Sequence, residues 1–90
     1  MQKQMEAIKQ RLDASFVEAT SPENRVMVRM NGNRRVQQVQ LDSQWLKEAD
    51  SEEVSELIQI AVNRALEKAD QLNEAEMRSV AGSMLPGMFS

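Results

Sequence analysis

The sequence predicts an α+β protein ordered as a helix, a three-stranded antiparallel sheet and a long second helix. Three observations lead to that class. Apolar residues recur at helical spacing near the start, and they alternate with polar ones around an Asn-Gly pair in the middle. The second half then runs without a helix breaker as far as Gly82. A chain of 90 residues suits one domain with a modest core.

The first helix spans residues 1–13. Met1, Met5, Ile8 and Leu12 follow its apolar stripe, and Gln, Lys and Glu fill the other faces. Lys3 lies opposite that stripe, with Lys9 and Arg11 on either side of it, so the basic residues do not gather.

Strand chemistry takes over across residues 15–41. Phe16–Thr20 reads as a first strand, closed by the turn-prone Ser21-Pro22-Glu23-Asn24. Val26, Val28 and Met30 alternate cleanly in the second. Asn31-Gly32-Asn33 predicts a tight hairpin in which Gly32 takes a positive φ. In the third strand Val36 and Val39 stand three apart, so placing them on one face with Leu41 requires a bulge near Gln37-Gln38. That register puts Arg25, Met27 and Arg29 on the opposite face with Arg35, and Arg34 at the turn. These arginines are the main basic concentration in the chain. A solvated, aggregation-resistant sheet face and a phosphate-binding face both fit it.

Residues 42–50 read as a connector, with Trp45 and Leu46 folding back onto the core. Asp50-Ser51-Glu52-Glu53 resembles a capping box that opens the second helix, and Gly82 is its expected end. Such a helix is ~45 Å long, whereas a compact globule of this size has a radius of gyration of ~12 Å. The helix therefore overhangs its own sheet. Its stripe holds Val54, Leu57, Ile58, Ala61, Val62, Ala65, Ala69 and Leu72, while Ile60 and Leu66 lie off it. Apolar residues on more than one side predict cover by a second copy, with Val54, Ile58, Ile60, Ala61, Ala65, Leu66, Ala69 and Leu72 at the interface. Residues 1–81 form the expected domain. Residues 82–90 form a Gly/Pro/Met tail whose Met84, Leu85, Met88 and Phe89 suit a docked or partner-binding arm.

Composition narrows the chemistry. The chain has no His and no Cys, which removes soft metal ligands, thiol nucleophiles and the side chain that titrates near neutrality. No catalytic constellation, metal site, cofactor motif or small-molecule site is expected, and the protein reads as non-enzymatic. Absence of cysteine fits a reducing cytoplasm, and no apolar run is long enough for a membrane span. Residues 1–47 carry eight Lys/Arg against five Asp/Glu, a net of +3, and residues 48–90 carry three against nine, a net of −6.

The ordered set Val26-Met27-Val28-Arg29-Met30-Asn31-Gly32, Val36-Gln37-Gln38-Val39-Gln40-Leu41-Asp42 and Leu46, with Gly82-Ser83-Met84-Leu85-Pro86-Gly87 near the end, resembles the YbaB/EbfC family. Leu41 replaces the commoner Ile, the family's Gly-rich lead-in is missing, and the tail matches loosely. The resemblance implies a bacterial, cytoplasmic, nucleoid-associated protein: a tight tweezer-like homodimer with helices between the sheets that binds duplex DNA. It carries over no DNA-contacting residue. Candidate contacts come from charge alone: Arg25, Arg29, Arg34 and Arg35 on the hairpin, then Lys3, Lys9 and Arg11 on the first helix. Phosphate binding with little sequence readout is the first expectation. A protein-interaction adaptor or chaperone-like dimer, using the apolar tail and acidic helices, is the alternative.

Overall fold

The computed structural model describes the backbone of residues 2–84. Its elements are α1 (Gln2–Asp13), β1 (Phe16–Thr20), a 3₁₀ turn (Pro22–Asn24), β2 (Val26–Asn31), β3 (Val36–Leu41), α2 (Ser43–Glu48) and α3 (Ser51–Met84). The α+β class and the order of its main elements are as the sequence predicts. Two boundaries differ. The connector contains a short helix, and α3 runs through Gly82 to Met84. Of the expected tail, residues 85–90 lie outside the described residues.

The sheet is antiparallel in the order β1-β2-β3. Arg29 pairs with Gln38 and Met30 with Val36, so Gln37 is the extra residue of the expected bulge. That insertion brings Val36, Val39 and Leu41 opposite Met30, Val28 and Val26 on one face. The hairpin turn departs from expectation. Gly32 does not have a positive φ; Arg34 does, at 67°. Asn31 O accepts from Arg34 N at 3.0 Å and Asn31 N donates to Arg35 O at 2.9 Å. These bonds describe a three-residue loop whose last position is left-handed. Asn31 Oδ1 also accepts from the backbone N–H groups of Asn33 and Arg35, which holds the loop without a glycine at the strained position.

Val26, Val28 and Met30 are buried against Ala61, Ala65 and Ala69 of α3, with Ala19 and Trp45 completing the cluster. Small alanine side chains let the helix backbone come close to the central strand. All three are 0% exposed within the single chain. They seat α3 on its own sheet, and this corrects the expectation that they form an interface between copies.

Asp42 caps α2 by accepting from Trp45 N at 3.2 Å. Neighbouring residues on a helix point about 100° apart, so only one of Trp45 and Leu46 faces the core. Trp45 is buried and Leu46 is exposed. The expected plug is Trp45 alone. Its Nε1 donates to Glu53 Oε1 at 2.9 Å, so the Glu53 side chain serves the tryptophan. The other half of the capping box stands, with Glu53 N donating to Asp50 Oδ1 at 2.8 Å.

Helix α1 buries Ile8 and Leu12, and Met5 is exposed. The radius of gyration is 17.2 Å and the long axis is 59 Å, so the chain is rod-like, as the helix length demands. No helix among the described residues is long and apolar enough to cross a membrane.

Candidate nucleic-acid interface

Strand pairing sets the composition of the sheet face turned away from α3. Glu18 and Thr20 of β1 pair with Arg29 and Met27 of β2, which pair in turn with Gln38 and Gln40 of β3. Phe16 lies on the same face at the hairpin end, and Arg25 enters just before β2. The expected arginine face therefore forms in part, but it is interleaved with acids.

Arg25 lies between two carboxylates, with Nη2 3.2 Å from Glu23 Oε2 and Nη1 3.3 Å from Asp42 Oδ2. The Arg29 guanidinium stacks 4.6 Å from the Phe16 ring centroid. Its Nη1 is 3.9 Å from Glu18 Oε1, and its Nε is buried without an acceptor. The left-handed turn sends Arg34 to Asp70 of α3, at 3.0 Å, on the helix side of the sheet. Arg35 is exposed and makes no ion pair among the described residues. It borders a shallow depression with Asp13, Phe16, Asn31 and Gln37 beside the bulge. The paired groups are substantially exposed to water. Such pairs hold weakly and exchange readily for other anions.

The second candidate group does not converge. Lys3 and Lys9 are exposed on α1 without ion pairs among the described residues. Arg11 places both Nε and Nη2 on Glu76 Oε2, at 3.2 and 3.0 Å, which ties α1 to α3.

Charge counting misses two cations of α3, Arg64 and Lys68. Arg64 Nη1 donates to Thr20 O at 2.8 Å, and Lys68 Nζ donates to Glu18 O at 2.7 Å. Both border an open groove of about 370 Å³ along β1 with Ala19, Thr20, Glu67 and Gln71. Averaging the acidic second half into one net charge hides them. The readable signal is two basic residues four apart in a helix whose only other basic residue is Arg78 near its end.

On its other flank, α3 reaches the β2–β3 turn through Asp70, and Asn73 Nδ2 donates to Gly32 O at 3.5 Å. Val62 and Leu66 share that flank by helical spacing, and both are half-buried. Helix α3 lies mainly over β1 and β2. Val36 and Val39, on the helix side of β3, are therefore 49% and 41% exposed. Of the remaining interface candidates, Val54, Ile58, Ile60 and Leu72 are half-buried.

The fold is shared with the crystal structure of an uncharacterized Helicobacter pylori protein, at a TM-score of 0.69 and 21% identity, covering 94% of each chain. The YbaB/EbfC DNA-binding family profile matches residues 1–84, and the chain belongs to that family. The family is one of nucleoid-associated DNA-binding proteins and not of enzymes. This chain is 36% identical over 89 residues to a nucleoid-associated protein of Chloroflexus aurantiacus, covering 99% of this chain and 88% of the relative. A nucleoid-associated protein of Ruminiclostridium cellulolyticum is 33% identical over 91 residues, with 99% of this chain and 79% of the relative covered.

Proposed function

We propose that this protein is a homodimer that binds duplex DNA through its phosphates, with little readout of base sequence, on the bacterial nucleoid. The nucleoid location is carried over from relatives named as nucleoid-associated proteins, and it implies a cytoplasmic protein. DNA as the partner is supported by membership of a DNA-binding family over residues 1–84. That same match favours this reading over a protein-interaction adaptor.

The dimer is carried by one observation. Val36 and Val39 stand open on the helix side of the sheet, beside the half-buried Val62 and Leu66. A soluble chain rarely leaves the core face of a strand bare, and a second copy's helix supplies the missing layer. Val54, Ile58 and Leu72 extend the apolar surface along α3, whereas Ile60, also expected at the interface, lies by helical spacing on the opposite flank, one turn from Arg64.

Phosphate contact follows from the chemistry of the exposed groups. Guanidinium forks and ammonium groups bind phosphate oxygens, and contacts to phosphate carry no base information. Titration of random duplex DNA against salt tests the reading. Engagement of about four phosphates gives a log–log slope near −3.6, and affinity falls on the order of a hundredfold between 50 and 200 mM salt. Affinity unaffected by salt, or confined to one base sequence, would refute it. Sedimentation at micromolar concentration should give twice the chain mass of 10.2 kDa.

A further inference from the structure

Most of the arginines that a charge count singles out already face carboxylates. Arg11, Arg25, Arg29 and Arg34 each have an acidic partner within 4 Å. Arg64 and Lys68 are different. Neither makes an ion pair among the described residues, and each is held by a backbone carbonyl oxygen of β1. A carbonyl positions a cation without neutralising it. Arg64 commits one of five N–H donors to Thr20 O, and Lys68 commits one of three to Glu18 O. The remaining donors border an open groove, where the Gln71 amide adds a neutral donor.

We infer that Arg64 and Lys68, anchored on the outer edge of β1, form a phosphate-binding site that takes the backbone of duplex DNA. This inference rests on the reading that the protein binds DNA, and it adds a surface outside the hairpin arginines. One helical turn separates the two side chains, about 6 Å along the axis, so each addresses its own phosphate. The groove lies on the flank of α3 opposite Val62 and Leu66. A dimer that covers β3 therefore leaves this flank open. Glu67 borders the groove and opposes an anion there, whereas the Glu18 carboxylate is directed to Arg29 on the outer face.

The same contacts have a second effect. Glu18 and Thr20 present their carbonyl oxygens on the unpaired edge of β1, and the two cations occupy them. If edge closure were their whole role, removing them would promote self-association and leave DNA affinity alone. The test uses the full chain as R64Q/K68Q, with E67Q as a second variant that disturbs no hydrogen bond described here. Each is titrated with random duplex DNA across salt, with sedimentation and a melting curve run in parallel. Loss of two phosphate contacts lowers the magnitude of the log–log slope by about 1.8 per engaged protomer and weakens binding at 0.1 M salt by at least tenfold, on the order of the counterion-release effect. E67Q should tighten binding several-fold. An R64Q/K68Q protein that stays folded and keeps the parent's slope and affinity overturns the site, and so does an E67Q protein with unchanged affinity. A parent that does not bind DNA at any salt overturns both the site and the DNA-binding reading, which separates that failure from loss of the site alone.

Discussion

Gly32 lies against Leu12. A Cβ at Gly32 would sit 2.6 Å from Leu12 Cδ2 and 3.1 Å from Leu12 O. Gly32 N also donates to Leu12 O at 2.9 Å and to Ser15 O at 3.0 Å, so the end of α1 rests directly on the hairpin backbone. The glycine is needed for close approach and not for its φ. Gly32→Ala should therefore lower stability by about 1–3 kcal/mol through overpacking. Combined with Leu12→Ala, its cost should be less than additive, because one substitution makes room for the other. Denaturant melts of both singles and the double measure this, and strict additivity would show that the contact is not the cause.

Arg34 occupies the left-handed position that a glycine usually takes in this loop, at φ 67°. Its pairing with Asp70 is exposed and contributes little. Arg34→Gly should raise stability by about 0.5–1 kcal/mol as the backbone strain is relieved. A lower melting temperature in this variant would mean that the Asp70 contact outweighs the strain.

Two charge insertions separate the seat of α3 from the proposed interface between copies. Ala65→Glu puts a carboxylate into a fully buried position beneath the helix and should abolish folding. Val39→Glu acts where a single chain is open to water and should leave a folded monomer. Circular dichroism and sedimentation read the two outcomes. A Val39→Glu protein that remains fully dimeric would move the interface elsewhere.

If the hairpin arginines contact DNA as proposed, Arg25, Arg29 and Arg34 must first give up their carboxylate partners, whereas Arg35 has none among the described residues. Exchanging Arg25, Arg29, Arg34 and Arg35 for Gln should weaken binding and flatten its salt dependence. Glu23→Gln, which removes one of the two carboxylates at Arg25, should do the opposite. Should the four-Gln variant bind as tightly as the parent, the hairpin is not the DNA surface, and Arg64 and Lys68, then Lys3, Lys9 and Arg11 of α1, become the next candidates.

Local pattern alone was enough for the α-β-β-β-α order, the family and even the bulge. The unequal spacing of Val36, Val39 and Leu41 requires one extra residue, and Gln37 is that residue. Periodicity reports which residues share a face, because side-chain direction follows from backbone geometry. It does not report what that face meets. Ala61, Ala65 and Ala69 form a stripe in the sequence, but only the helix's position over β2 assigns the stripe to the chain's own sheet. Turn chemistry was equally indirect: Asn-Gly marks the hairpin, yet the left-handed residue is Arg34, because Asn31 Oδ1 holds the loop and Gly32 serves Leu12.

Charge shows the same division most plainly. The numbers of acids and bases follow from composition, but their electrostatic effect depends on separations of a few ångströms. Arg25 meets Glu23 and Asp42, and Arg34 meets Asp70, through contacts between 2 and 36 residues apart in the chain. Arg64 and Lys68, inside the acidic half, end on carbonyl oxygens 44 and 50 residues away and keep their charge. Sequence determined which elements form, since helical and strand periods are local. Only the tertiary structure decided which cations remain available to an anion, since that depends on which side chains folding brings together.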